Sequence, residues 1–159
     1  MTDALRTPFV CGEDDHQNCI DEALARAEQL CQRYNQRFTA IRRRVLELVW
    51  QQHKPVGAYE VLEILRQDGR TAPPTVYRAL DFLQQRGLVH RIASLNAYVG
   101  CARPGEPHYG QFLICESCKS LAELDVSTIS NAIEKSAEAS GFKSHRHTVE
   151  IMGLCPSCQ

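Results

Sequence analysis

The sequence predicts an α/β (α+β) chain in two parts. The first is helical and closes with a two-stranded ribbon; the second is smaller and runs β-β-α-β. Three observations carry this. Apolar residues recur at spacings of three and four from Asp21 to about Gly87. Two short alternating stretches, "LVHRIA" and "NAYVGC", follow them. Beyond a Pro/Gly-rich break, "ARPGEPHYG", two Cys-x-x-Cys pairs bracket the second part.

Residues 1–20 carry one base and four acids and show no periodicity, which predicts a flexible acidic tail. Cys11, His16 and Cys19 fall in it, and no specific role is expected of them. From Asp21 the positions Ala23, Leu24, Ala27, Leu30, Cys31 and Tyr34 form one helical stripe, with Cys31 as a small core residue. "RFTAIRRRVLELVWQ" predicts a second helix capped by Thr39, with Ile41, Val45, Leu48 and Val49 inward. "KPVGAYEVLEILRQDGR" predicts a third, ended by Gly69, with Val61, Leu62 and Leu65 inward. "TAPPTVYRALDFLQQRG" predicts a fourth, with Pro73 at the cap, Pro74 at the first helical position and Gly87 past the end. Its apolar face is Val76, Leu80 and Leu83; Tyr77, Arg78, Asp81 and Gln84 lie off that face.

Three helices, a fourth with polar and aromatic residues outward and then a ribbon give the order of a winged helix-turn-helix. In that architecture the fourth helix enters the DNA major groove. The domain is expected over residues 21–101, followed by a hinge at 102–110 and the β-β-α-β module at 111–159. Net charge is −1, yet residues 21–100 carry twelve bases against eight acids, and residues 101–159 five against seven. The basic excess lies where DNA contact is expected. Arg42, Tyr59, Thr75, Tyr77 and Arg78 are the candidate contacts. Arg78 would face a guanine edge or a phosphate, and Tyr77 a thymine methyl or a phosphate.

The chain ends "MGLCPSCQ", and only Gln159 comes after Cys158. A redox dithiol needs its first Cys at the head of a helix, where the dipole lowers its pKa. With no room for that helix, metal binding is the expected use. Cys115 and Cys118 supply the matching pair, with 36 residues between Cys118 and Cys155. Four thiolates make a closed, structural zinc site. A module of about 50 residues needs such a staple or a partner copy. Eight cysteines in a reducing cytoplasm point the same way. A thiol–disulfide regulator is the competing reading.

Apolar runs such as "FLIC" are too short to span a membrane, and the N-terminus lacks the layout of a secretory signal, so a cytoplasmic protein is expected. There is no His-Glu-x-x-His and no evident nucleophile–base pair, so neither an enzyme nor a small-molecule substrate is expected.

"RFTAIRRRVLELV", "PPTVYRALDFLQQRGLVHRI", "CESCKSLAE" and "HTVEIMGLCPSC" together resemble the ferric-uptake-regulator family of metal-responsive repressors, and within it the zinc-responsive branch. The likeness runs from about residue 21 to 158. It implies a homodimer on double-stranded operator DNA and repression of zinc-uptake genes when zinc is abundant. It also implies a second, regulatory zinc site at His90, Cys101, His108 and Glu123, hence two zinc ions per chain. Two imidazoles, one thiolate and one carboxylate would balance the charge of Zn²⁺, and the soft sulfur favours zinc over manganese or ferrous iron. Iron-type relatives carry a His/Asp-rich run where this chain has "HYGQFLIC". His147 matches a ligand of a further site in such relatives and is the candidate for an extra metal. His145 and His53 are expected to be ordinary. An iron- or peroxide-sensing repressor of the same family is the nearest alternative.

Overall fold

The structure, a computed structural model, describes residues 16–52, 54–69 and 71–159. They fall into two compact units that divide between Glu106 and Pro107. Residues 1–15, with Cys11, and His53 lie outside the described residues.

In the first unit, α1 (His16–Arg33) buries Ile20, Ala23, Ala27 and Cys31. The expected tail is therefore too long: its residues 16–20 are helical. Ile20 continues the buried stripe one step before Ala23, and the His16 ring is hydrogen-bonded at 2.6 Å to the Gln51 carbonyl. Tyr34 lies beyond the helix end and is exposed, because Asn35 turns left-handed at φ 50°. α2 (Ala40–Gln51) starts where Thr39 accepts a hydrogen bond from the Arg42 N–H, as its cap position predicts. Val45, Leu46, Leu48 and Val49 point into the core.

A two-residue strand β1 (Val56–Gly57), too short to be legible as a pattern, leads into α3 (Ala58–Asp68). α4 (Pro73–Gln85) begins one residue earlier than expected. Ala72 is the extended cap residue, and Pro73 and Pro74 take the first two helical positions, where a missing N–H costs nothing. Its end is a Schellman motif. Gly87, at φ +66°, donates to the Gln84 carbonyl at 3.0 Å, and Leu88 donates to Leu83 at 2.9 Å. Leu83 and Leu88 are both fully buried, which adds the apolar contact this motif favours.

β2 (Val89–Ile92) and β3 (Ala97–Gly100) form the ribbon, joined by a 3-10 turn at Ala93–Leu95 and left-handed Asn96. β1 pairs with the free edge of β3, giving the order β1-β3-β2. Valines and leucines of α2, α3 and α4 pack with Ala27, Leu88, Val89 and Tyr98 in one core.

The second unit is a three-stranded sheet of order β5-β4-β6 with one helix. β4 (Gly110–Cys115) pairs antiparallel with β5 (Leu121–Leu124) and parallel with β6 (Thr148–Gly153); α5 (Ser127–Ala139) makes the crossover. The last strand is shorter than "KSHRHTVEIMG" suggested. Gln111 is buried in β4 with its amide fully engaged: Nε2 donates to Val126 O at 3.0 Å and Ser130 Oγ at 2.8 Å, and Oε1 accepts from Val126 N–H at 3.3 Å. Such satisfaction is what makes burying an amide tolerable.

Candidate metal centres and nucleic-acid face

The strand register explains why the two Cys-x-x-Cys pairs meet. In the parallel β4/β6 pair Cys115 stands opposite Gly153, so both strands end at the same edge. Each then makes a tight turn. Lys119 N–H reaches the Cys115 carbonyl at 3.0 Å, and Cys158 N–H reaches the Cys155 carbonyl at 2.9 Å. The four Sγ atoms of Cys115, Cys118, Cys155 and Cys158 lie within 4.8 Å of one another. Cys118 and Cys155 sulfurs are 3.7 Å apart. Zn–S bonds of about 2.3 Å in a tetrahedron put sulfurs roughly 3.8 Å apart, so the donor set fits Zn²⁺.

The electrostatics suit thiolates. Backbone N–H groups of Cys118 and then Cys155 face the Cys115 sulfur and bring its pKa down to about 6. The Ser120 hydroxyl, 2.9 Å from Cys118 Sγ, lowers that thiol. The Ser117 hydroxyl pulls Cys158 down, but the sulfurs of Cys155 and Cys118 outweigh it and push Cys158 up to about 11. That last push comes from hydrogen bonds in which the Cys158 thiol keeps its proton among the neighbouring sulfurs, a proton that a divalent cation in their midst would displace. Ser117 and Ser120 were not singled out in the sequence. Their only signal is their position inside and just after the first Cys-x-x-Cys. None of the seven described cysteines is in a disulfide.

The remaining candidates form two pairs, one in each unit. In the first unit His90 lies on β2 opposite Val99 of β3, and Cys101 is two residues further on, hence its diagonal neighbour on the same side. Their ligand atoms are within 4.8 Å, with Cys101 buried and His90 half-buried. Cys101 is held by its own N–H, which donates to Leu88 O at 3.0 Å. In the second unit His108 Nε2 lies 3.3 Å from Glu123 Oε1, and both side chains are nearly enclosed, 9% and 5% exposed. Burying a lone carboxylate is costly, so an enclosed Glu beside an imidazole marks a site where positive charge is expected.

His147 belongs to no cluster of three or more potential donors among the described residues. Its ring is stacked on Tyr109 at 3.9 Å between centroids, and neither ring nitrogen has a hydrogen-bond partner. Cys31 is a buried core thiol, raised by burial against the pull of Arg42 and Arg86.

The outward side of α4 carries Thr75, Tyr77 and Arg78, all exposed, while Val76, Ala79, Leu80 and Leu83 hold the opposite side in the core. Tyr77 is 51% exposed, and Tyr59 at the head of α3 is 67% exposed. Tyrosines this open have no packing role that would account for them. Arg42 is different. Its guanidinium lies 3.4 Å from the centroid of the Phe82 ring on α4 and also donates to the Arg37 carbonyl. Arg43 pairs with Glu28 of α1, and Arg44 with Glu47 and, at 2.8 Å, Asp68 of α3. The three consecutive arginines of α2 thus tie it to its neighbours. Among the described residues no helix is long and apolar enough to cross a membrane.

Residues 33–152 match the model of the ferric uptake regulator family. The zinc uptake regulation protein of Escherichia coli (strain K12) is 37% identical over 86% of this chain and 81% of its own length. The ferric uptake regulation protein of Legionella pneumophila is 30% identical over 77% of this chain and 91% of its own. Among solved structures, a zinc uptake regulator complexed with zinc and DNA superposes with a TM-score of 0.83 at 36% identity, covering 87% of this chain and 93% of the other. The crystal structure of holo XcZur gives 0.81 at 41% identity, covering 86% and 96%. With a match that spans most of the described residues, the chain belongs to the ferric uptake regulator family.

Proposed function

We propose that this chain is a zinc-responsive transcriptional repressor of zinc-uptake genes, acting in the cytoplasm as a homodimer on operator DNA. The observation that carries this reading is the separation of its donors into a closed four-cysteine set in the second unit and a distinct His90–Cys101 pair, with one thiol, in the first. A closed set suits a permanent structural ion, and a second, distinct set is what a sensor requires. The relatives with greater identity over more of the chain regulate zinc uptake, whereas the ferric relative is more distant.

Cys115, Cys118, Cys155 and Cys158 would hold the structural ion, and His90, Cys101, His108 and Glu123 the regulatory one. Zn²⁺ bound at the second set supplies a coordination cross-link between the wing and the β-β-α-β module. The chain's own part is to present the two pairs. Residues 102–107 tether Cys101 to His108, and β5 carries Glu123. Tyr59, Thr75, Tyr77 and Arg78 form the DNA-facing surface, with Arg42 behind it as a brace on Phe82. A switch of this kind works only if the DNA-competent arrangement binds the metal more tightly, by about 5.5 kcal/mol for a full inversion of populations. Three exposed apolar residues, Ile151 and Met152 on β6 and Leu154 just past its end, are assigned to the second copy. The chain is a regulator and not an enzyme.

The test is an operator-binding titration at buffered free zinc, repeated with iron and manganese. Tight binding switched on by zinc at far lower free concentration than by the other two is expected. Binding independent of metal, or switched on equally by iron, overturns the reading.

A further inference from the structure

His108 sits in a segment with no regular structure, between the turn at Pro104–Gly105 and the start of β4. Something other than a strand or helix must fix its position. Three contacts at and beside its neighbour Tyr109 do so. The parallel register pairs Gly110 with Thr148, so one step earlier Tyr109 falls beside His147, and the two rings stack at 3.9 Å and 18°. The Glu134 carboxylate on α5 faces the Tyr109 hydroxyl and pushes its pKa up. Two residues along, Gln111 bonds Ser130 of the same helix at 2.8 Å. Tyr109 and Gln111 are two apart on one strand line, and Glu134 and Ser130 are one turn apart on α5, so a single alignment of helix on strand satisfies both. His108 turns the other way, to Glu123, whose strand position is opposite Phe112.

We propose that Tyr109, braced by Glu134 and His147, is the positioning residue that holds His108 in its metal-binding pose. This rests on the reading of His108 as a ligand of the second zinc. His147 then serves as a stacking surface and not as a ligand. A ligand on a loose segment loses affinity through the freedom it must give up, and outer-shell contacts that remove this freedom are typically worth about 10–100-fold in metal affinity.

The test uses the full chain and two variants. Zinc affinity is read by competition with a chromogenic chelator, and the second site's geometry by the visible spectrum of the Co²⁺-loaded protein. Tyr109→Phe keeps the stack and loses the hydroxyl that faces Glu134. It should weaken the second zinc about tenfold and shift the Co²⁺ bands, with the first zinc and the melting temperature of the protein unchanged. Glu134→Gln keeps an acceptor for the hydroxyl and should behave as the parent. A parent with two zincs and a Tyr109→Phe variant of equal second-site affinity overturns this inference alone. So does a variant that loses both zincs together, since that marks a merely structural role. A parent that takes up only one zinc overturns the reading of His108 as well.

Discussion

Gly100 on β3 lies directly under the indole of Trp50 on α2: a Cβ on Gly100 would stand 2.1 Å from Trp50 Cε2. No rotation of a methyl group relieves that, so either the indole or the strand must move. Gly100 precedes Cys101, so the close approach of helix and ribbon also sets where that thiol lies.

Gly100→Ala should therefore cost about 1–3 kcal/mol of stability, the usual range for overpacking. Trp50 is the sole tryptophan, so its emission reports the site directly. The expected result is a lower urea midpoint with a shifted emission maximum in the native protein. A midpoint and a spectrum identical to the parent would show that the contact is slack.

Cys115→Ser should unfold more than it unbinds. The second unit buries few large side chains outside Phe112, Ile114 and Leu121, and a structural ion contributes folding energy outright to so small a module. Loss of one zinc per chain, loss of the dimer and a drop in melting temperature are expected together. Chelation of the parent at low zinc should reproduce them. A folded dimer with unchanged metal content would sink the structural assignment, and sedimentation with metal analysis decides it.

Arg78 and Arg42 should part company. Arg78 is exposed on α4, and within the described residues no hydrogen bond or ion pair engages it. Arg78→Ala should cost about 1–3 kcal/mol on the cognate operator and much less on random DNA. Arg42→Ala removes a cation–π contact and the cover over Phe82, worth about 0.5–2 kcal/mol of stability. It should leave the salt dependence of DNA binding unchanged, whereas loss of a phosphate contact lowers that slope by about one. Binding isotherms at several salt concentrations, beside a melting curve, separate the two roles.

The sequence made the helices legible because each has a long apolar stripe and a cap that says where it starts. Thr39 and Gly87 are of this kind. β1 was not legible: two residues, Val56 and Gly57, have no period, and they form a strand only because β3 offers them an edge. The first helix reached back to His16 because Ile20 and a hydrogen bond to Gln51 outweigh the acidic composition before it. The four cysteines could be read from spacing alone. The brace around His108 could not: Tyr109 meets Glu134 and His147 across 25 and 38 residues of chain, through a register no local pattern encodes. The place of Arg42 over Phe82 was not legible either, because a basic run has the same composition whether it faces solvent, DNA or an aromatic ring.

Cys101→Ser gives the sharpest test of the two-site reading. Cys101 is buried at the end of β3, anchored by its N–H to Leu88, and among the described residues it is the thiol grouped with His90. Serine keeps the size and the backbone bond, so the fold of the first unit should be retained within about 1 kcal/mol. What it removes is the soft, anionic donor, and with it the preference for zinc over harder ions. The four-cysteine set lies in the other unit and is untouched. The variant should stay dimeric, keep one zinc per chain, lose the second and no longer bind the operator at any free zinc that saturates the parent. In cells, zinc-uptake genes should stay on in high zinc. Metal analysis, sedimentation and an operator titration on the same preparation check each part. If the variant responds to zinc at the parent's free concentration, Cys101 is a core thiol, and the sensing site must be sought among donors that do not include it.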